Sequence, residues 1–302
     1  MITDLYHLNT GKKMKIIPGP ASKHLGERIA GLLGIEMVPL VFKRHPDGES
    51  YVRVEGKVQD EEVAIVQTTS PPQDTRLVQL ALVADAAKRH GAKKITAIVP
   101  YLAYARQDRL FLKGEAFSII TIARMLKIAG VDNLITVNIH KEKILSKFPF
   151  PARTVSAVPL LAEHFKNKGC KKAFALAPDK GAVWLAEEAR NILGGESGYL
   201  EKDRDRYTGN VSMKKKLLDV KGKNVIIFDD IISTGGTIVA AVGILKEIGA
   251  ERIYVGCVHP LLIGDAEKRI LRSGVEVVVG TDSIPSHVSK VSLAPLLSRE
   301  LT

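Results

Sequence analysis

The chain has 302 residues, of which 45% are apolar and 25% charged, and its formal net charge at pH 7 is +11. This length predicts two domains of ordinary size, and no apolar run approaches the ~20 residues that a membrane-spanning helix needs. The positive charge suits nucleic acid or small polyanionic substrates. Because aromatic residues make up only 5% and the densest basic run is 214–216, we expect small polyanions and no nucleic-acid partner.

The first thirteen residues lack the apolar core of a secretory signal. A second methionine at position 14 leaves open whether residues 1–13 belong to the native chain. The only cysteines, Cys170 and Cys257, are too far apart in sequence to predict a disulfide framework or a zinc site. We therefore expect a cytoplasmic protein with no membrane partner.

Strand-like apolar runs alternate with amphipathic helical patterns along the chain. This alternation predicts a mainly parallel sheet in each half, flanked by helices, with ligands bound beyond the carboxyl ends of the strands. The predicted strands are 63–67, 95–100, 134–139, 173–177, 225–228, 253–258 and 275–279, and the predicted helices are 22–33, 77–89, 118–128, 183–193 and 238–248.

The two halves of the chain resemble each other. The aligned segments are 17–34 with 177–194, 63–75 with 225–237, and 91–95 with 249–253, at spacings of 160, 162 and 158 residues. Three matches in the same order predict two α/β domains of one topology. We place them at residues 14–154 and 155–302, and the last helix could pack back on the first domain.

Several predicted strand ends carry polar motifs. Tyr-Ala-Arg-Gln-Asp-Arg at 104–109 offers Arg106 for phosphate or base stacking and Gln107 for a purine edge, although alone it is equally an ordinary polar turn. His-Pro-Asp-Gly-Glu at 45–49 alone indicates only a turn. A lone His140 is more often structural than a ligand, but with Asp179 on the same kind of sheet rim it could hold Mg²⁺.

Segment 201–216 is highly charged, has almost no apolar residues and shows no periodicity. A loop of this length inside a compact domain is usually functional or disordered. We interpret it as a mobile lid that brings Lys202 and Arg204 over a polyphosphate, and the alternative is a solvated β-flap.

Segment 223–241 is the most informative. A buried-type strand ends in Asp229 and Asp230, and a Gly-rich turn then enters a helix. Free N–H groups at such a helix start can hold a phosphate, and the two acids can take ribose hydroxyls. The predicted ribose-phosphate residues of the turn are Ser233, Thr234, Gly235, Gly236 and Thr237.

The first half lacks this pattern. At a spacing of 162 residues, Gln67 and Thr68 stand in the places of the two acids, and Gln73 and Asp74 stand in the places of the two glycines. We therefore predict that only the second half binds a ribose phosphate.

These motifs together resemble the ribose-phosphate diphosphokinase (phosphoribosyl-pyrophosphate synthetase, PRPP synthetase) family, from about residue 14 to the C-terminus, and the chain is more similar to its shorter archaeal members. The resemblance implies two duplicated phosphoribosyltransferase-like domains and diphosphoryl transfer from Mg-ATP to ribose 5-phosphate, giving PRPP and AMP. It also implies Mg²⁺ as cofactor and a homo-oligomer. The implied residues are Asp47, Glu49, Arg106 and Gln107 for ATP, His140 and Asp179 for metal, Lys202 and Arg204 for catalysis, and Asp229–Thr237 for ribose 5-phosphate.

Two positions depart from the family pattern. Asn138 replaces the acid of an Asp-Leu-His triplet, and Ala182 replaces the second Gly of a Ser-Pro-Asp-x-Gly-Gly motif. These changes concern the metal site, yet His140 and Asp179 are retained. The alternatives are a non-catalytic regulatory homologue, which would have lost site residues, and a nucleobase phosphoribosyltransferase, which would ignore ATP.

Overall fold

The structure, a computed structural model, describes residues 14–110, 112–204, 211–214 and 218–302. The predicted extension 1–13 lies outside these residues, as does half of the predicted lid segment 201–216. The chain divides into two compact units. The first runs to Val155 and includes Ser292–Thr302, and the second is Ser156–Val291.

The strands and helices alternate along both units. The strands are β1 Met14–Pro18, β2 Leu40–Arg44, β3 Ser50–Val54, β4 Glu62–Val66, β5 Lys94–Val99, β6 Asn133–Val137, β7 Ala152–Val155, β8 Phe174–Ala177, β9 Ser197–Tyr199, β10 Glu201–Arg204, β11 Val211–Lys214, β12 Val225–Ile232, β13 Ile253–Pro260, β14 Val278–Thr281 and β15 Ser289–Val291. The helices are α1 Lys23–Leu33, α2 Gln73–Arg89, α3 Ser118–Ile128, α4 Val158–Asn167, α5 Val183–Leu193, α6 Gly236–Glu247, α7 Ala266–Arg272 and α8 Ala294–Arg299, with short 3₁₀ helices at Glu142–Lys147 and Lys180–Ala182.

Each unit is built on one parallel sheet. The order is β1-β4-β5-β6-β7 in the first unit and β9-β8-β12-β13-β14-β15 in the second. The central strands are buried on both faces: every residue from Val63 to Val66 and from Ile95 to Val99 is buried. Such continuous apolar runs are typical of parallel strands that helices cover on both sides. In the first unit α8 packs against α1.

The duplication predicted from the sequence is confirmed by the topology. If β9 is set aside, β8-β12-β13-β14-β15 repeats the order β1-β4-β5-β6-β7. The register repeats too, because Val63 pairs with Ile95 and their counterparts Val225 and Ile253 pair with each other. The predicted α/β class with two duplicated domains is therefore correct.

Three predicted elements differ from those observed. The acid pair does not follow its strand but lies within β12, because pairing with β13 continues as far as Ile232. The strand predicted at 275–279 begins only at Val278, and Val277 is 40% exposed. The segment after 200 is not a plain loop among its described residues, because β10 and β11 pair as an antiparallel ribbon.

Several observed elements are absent from the prediction: β1, β2, β3, β7, β15, α4 and α7 among them. The β2–β3 hairpin lies outside the parallel sheets, and only one of its ten strand residues, Val54, is fully buried. Helix α4 begins with Val158 and Pro159 and buries only one face, and the prediction does not include it. Within the described residues, no helix is both long enough and apolar enough to cross a membrane.

Candidate functional site

The end of β12 brings two carboxyl groups side by side. Asp229 and Asp230 are half-buried, the backbone N–H of Asp230 donates to Asp229 Oδ1 at 3.0 Å, and the N–H of Ile231 donates to Asp230 Oδ1 at 2.8 Å. These local bonds use one oxygen of each carboxyl group. They fix the two side chains at the carboxyl edge of the sheet, where ligands of parallel sheets bind.

The turn from β12 into α6 is held from one side. The N–H of Ile263 donates to the carbonyl of Ser233 at 3.0 Å, and Arg269 Nη2 donates to the carbonyl of Thr234 at 2.5 Å. Gly235 has a φ of +78°, which favours glycine, and a Cβ there would lie 2.9 Å from Ile270 Cδ1. The backbone carbonyls are thus turned toward the α7 side, and the turn needs glycine.

Helix α6 begins at Gly236 with open space around its first residues. A Cβ built on Gly236 would meet no atom within 4 Å, and the N–H of Val239 donates to the carbonyl of Gly235. The N–H groups of a first helical turn have no partner inside the helix, and the helix dipole favours an anion there. This start therefore offers a phosphate both donors and room. Thr237 is half-buried on the same turn.

Negative charge accumulates beside this turn. Burial raises the pKa of Asp229 well above its usual value, and the charges of Asp230 and Asp179 raise it further. Burial also raises the pKa of Cys257, which pairs with Asp229 across the sheet, so that its thiol stays neutral. The charges of Asp230 and Asp179 therefore disfavour ionisation of Asp229, and positive charge nearby would relieve this repulsion.

Replacing Asp229 with asparagine should stabilise the ligand-free protein at pH 7. A carboxyl whose pKa is raised on folding contributes most stability below its unfolded pKa, near 3.8, and this contribution is lost as pH rises through the folded pKa. The amide does not ionise, so we expect Tm at pH 7 to rise by about 2–4 °C. Calorimetry from pH 4 to 8 measures this.

The matched control is Asp219→Asn, because Asp219 is exposed and pairs with Lys223 at 2.9 Å. It should leave Tm unchanged or slightly lower. A lower Tm for Asp229→Asn at pH 7 would contradict the assigned repulsion.

Asp179 follows β8 and caps the 3₁₀ helix at Lys180–Ala182. Its Oδ1 accepts the N–H of Gly181 at 2.8 Å, and the side chain is half-buried. Ala182, the departure noted in the sequence, is buried. Asp179 therefore lies in the second unit within electrostatic reach of Asp229.

In the first unit, residues 101–109 after β5 form the segment that we call the arginine loop. Arg106 is exposed, and Gln107 Nε2 donates to Glu115 Oε2 and to the carbonyl of Arg109, both at 3.3 Å. The exposed Arg106 guanidinium suits an anionic ligand.

Asp47 and Glu49 lie on the tip of the β2–β3 hairpin. Both are exposed, and the N–H of Glu49 donates to Asp47 Oδ1 at 3.0 Å. The N–H of His45 donates to the carbonyl of Glu49 at 2.8 Å and closes the turn. The hairpin thus presents two carboxylates to solvent.

His140 is exposed just beyond β6. The preceding Asn138 is buried with a φ of +39°, and its N–H donates to the carbonyl of Val155 at 3.0 Å. An asparagine tolerates this left-handed conformation better than most residues. His140 belongs to the first unit and Asp179 to the second.

The predicted catalytic cations and the predicted metal site are not described further by the structure. The backbones of Lys202 and Arg204 belong to β10, and their side chains lie outside the described part of the structure. Across the described residues, no group of three or more His, Cys, Asp or Glu side chains is placed to hold a metal ion. The roles given to these residues therefore stay predictions.

The first unit contains a cleft of about 740 Å³ beside the start of α1, lined by Gly19, Lys23, Met37, Phe42 and Arg76 among others. None of the predicted site residues lines it. The acid pair and the open start of α6 indicate a specific ligand, whereas the residues that line this cleft do not.

Sequence reasoning missed the residues that close the corresponding corner of the first unit. Gln67 is fully buried, its Oε1 accepts the N–H of Ala21 at 2.9 Å, and its Nε2 donates to Gln79 Oε1 at 3.4 Å. A Cβ on Gly19 would lie 2.3 Å from Gln67 Oε1. The 162-residue spacing identifies the position of Gln67, opposite Asp229, but it does not predict the contacts of Gln67 with Ala21 and Gln79.

Comparison with known proteins gives consistent matches over nearly the whole chain. Residues 14–130 match the family model described as the N-terminal domain of ribose phosphate pyrophosphokinase, and residues 157–295 match the phosphoribosyl transferase domain. The chain is 44% identical over 283 residues to a ribose-phosphate pyrophosphokinase of Methanothermobacter thermautotrophicus, covering 94% of this chain and 98% of that one.

A second relative, the ribose-phosphate pyrophosphokinase of Saccharolobus solfataricus, is 44% identical over 272 residues and covers 90% of this chain and 93% of its own. Among solved structures, the phosphoribosylpyrophosphate synthetase of Mycobacterium smegmatis superposes with a TM-score of 0.85 at 30% identity, covering 96% of this chain and 98% of that one.

Proposed function

The chain belongs to the ribose-phosphate pyrophosphokinase family and makes PRPP from ATP and ribose 5-phosphate, and we propose that the residues named below bind these substrates and catalyse the reaction. The family expected from the motifs is confirmed, and so is the prediction of an enzyme. The observation that carries the residue assignment is the pairing of two fixed carboxyl groups with an open helix start between β12 and α6.

Ribose 5-phosphate binds at this turn in our proposal. The N–H groups of Thr234–Thr237 hold the phosphate, supported by the open space at Gly236 and by the positive end of α6. Asp229 and Asp230 accept hydrogen bonds from the ribose hydroxyls. Ser233 and Thr237 add hydroxyl donors to the same turn.

ATP binds to residues of the first unit in our proposal. Arg106 contacts a phosphate or stacks on the base, and Gln107 reads the purine edge. Asp47 and Glu49 supply acceptors from the hairpin tip. The exposure of Arg106 and of both hairpin acids supports this assignment, because all three are accessible to a ligand.

We propose Mg²⁺ as the cofactor, with His140 and Asp179 as its protein contacts. An imidazole and a carboxylate fit a hard cation that keeps several waters. Positive charge there would also relieve the repulsion among Asp179, Asp229 and Asp230. When bound, the ion neutralises charge on the transferring phosphates.

The reaction forms one bond and breaks one. The anomeric oxygen of ribose 5-phosphate attacks the β-phosphorus of ATP, the bond from that phosphorus to the oxygen shared with the α-phosphorus breaks, and AMP leaves. The anomeric hydroxyl loses its proton, and we assign no residue as general base. Positioning and charge neutralisation supply the rate, and Lys202 and Arg204 stabilise the developing negative charge.

We further propose a cytoplasmic homo-oligomer. Leu110 and Leu112 are 55% and 71% exposed next to the arginine loop, which suits contact with a second copy. Analytical ultracentrifugation of the pure protein tests the oligomeric state.

A phosphorus NMR time course with the pure protein, Mg-ATP and ribose 5-phosphate tests the reaction on this chain. We expect PRPP and AMP to appear at equal rates. Stoichiometric appearance of ADP instead would contradict β-phosphorus attack. A parallel sample with EDTA should show no turnover, and unchanged turnover there would contradict the metal proposal.

A further inference from the structure

We propose that the junction between β4 and α2 (residues 67–74), which occupies the place of the phosphate turn in the second unit, instead positions the arginine loop for ATP, with Thr69 and Asp74 as positioning residues. This inference rests on the proposed function, because it assumes that Arg106 and Gln107 contact ATP.

The junction differs from the phosphate turn in its backbone donors. At the 162-residue spacing, Pro71 and Pro72 stand where the second unit has Ser233 and Thr234, and proline has no N–H to donate. The N–H of Thr68 is taken by Ser22 Oγ at 2.8 Å. Pro72 thus removes one of the four N–H groups that hold the phosphate in our proposal for the second unit.

Asp74 places a carboxylate at the start of α2. It stands where the second unit has Gly236, in the first turn of α2, and a carboxylate at a helix start is favoured by the dipole. Where α6 leaves room for a ligand phosphate, α2 carries a carboxylate of the protein's own. Its partner is Tyr104, whose hydroxyl donates a hydrogen bond to Asp74 Oδ1.

Thr69 holds the first residues of the arginine loop. This side chain is fully buried, its hydroxyl donates to the carbonyl of Tyr101 at 2.7 Å, and its oxygen accepts the N–H of Ala103 at 2.8 Å. The N–H of Thr69 also donates to the carbonyl of Tyr101 at 2.9 Å. One residue of the junction thus makes three bonds to the loop backbone.

The two anchors act on, and just before, a strained residue. Tyr104 has a φ of +66°, a left-handed conformation that is costly for a bulky side chain and persists only where surrounding contacts enforce it. The N–H of Gln107 donates to the carbonyl of Tyr104 at 3.1 Å, so this conformation sets the turn that carries Arg106 and Gln107. Losing the anchor at Asp74 frees Tyr104 to relax and moves that turn.

The test compares Tyr104→Phe, Asp74→Ala and the double variant with wild type. We expect each single change to raise the KM and Kd for Mg-ATP about three- to tenfold, which is the range for the loss of one hydrogen bond of ordinary strength. The KM for ribose 5-phosphate and the Tm should not change. The double variant should be no worse than either single one, and Asp74→Asn should recover part of the loss because its amide oxygen still accepts.

Two comparisons complete the experiment. Asp85→Ala removes an exposed carboxylate on the same helix that pairs with Arg89, and it should leave both KM values unchanged. Thr69→Val should raise the ATP KM, while Thr69→Ser, which keeps the hydroxyl, should not.

Arg106→Ala separates this inference from the ATP assignment. If it raises the Kd for Mg-ATP while Tyr104→Phe and Asp74→Ala do not, the positioning inference alone is overturned. If Arg106→Ala has no effect, the ATP assignment falls and the inference falls with it. Equal rises in both KM values, with a lower Tm, would show a merely structural role and overturn the inference.

Discussion

Alanine at Lys202 or Arg204 lowers kcat by about 100- to 1,000-fold, whereas the KM values for ATP and ribose 5-phosphate change little. This is the result we expect if these cations meet charge that develops mainly in the transition state. Each variant removes one positive charge from the ribbon strand β10 without touching either parallel sheet. Steady-state kinetics with both substrates varied measures the effect.

Lys221→Ala is the control, since Lys221 is an exposed lysine of the same unit to which we assign no role. It should retain wild-type kcat. A rise in KM at unchanged kcat for Lys202→Ala or Arg204→Ala would mean that these side chains bind the ground state, and it would refute their catalytic role.

Asparagine at Asp230 is expected to raise the KM for ribose 5-phosphate about 10- to 100-fold, with a much smaller effect on ATP. The change removes a charged acceptor and puts a donor where a ribose hydroxyl must donate, and a hydrogen bond to a charged group is worth ~1.5–3 kcal/mol. Isothermal titration with ribose 5-phosphate alone measures the same loss without turnover.

Asp219→Asn again serves as the control for removing one carboxylate from the second unit. Equal loss of affinity for both substrates in Asp230→Asn would sink the assignment of this carboxyl to the ribose. The local bond from the N–H of Ile231 to Asp230 Oδ1 can persist with an amide oxygen, so the backbone should stay in place.

Periodicity and internal similarity carried most of the fold prediction. The strand at Val63–Val66 and the helix Val183–Leu193 could be read from apolar patterns, because burial on both faces or on one helical face leaves a strong mark. The β2–β3 hairpin could not, since only one of its ten strand residues is fully buried and β2 shows no alternation.

The site was predictable where chemistry depends on composition and less so where it depends on geometry. Asp229, Asp230 and the glycines stand in a rare order along the chain, so their pattern alone indicated a ribose-phosphate turn. The extension of β12 through the acids was hidden, because it depends on pairing with a strand about 28 residues away in sequence. The anchor at Thr69 likewise arises from a contact 34 residues distant.

The buried amide of Gln67 has a consequence for how the two halves can diverge. Restoring an acid there would put a charge at a fully buried position and remove the Nε2 donor from Gln79 Oε1, and Gly19 has no space for a side chain while Gln67 stays. Single substitutions at this corner are therefore expected to lower stability before they create a new binding site. A ribose-phosphate site in the first half would therefore require several coordinated changes, at Gly19, Gln67 and Gln79 together.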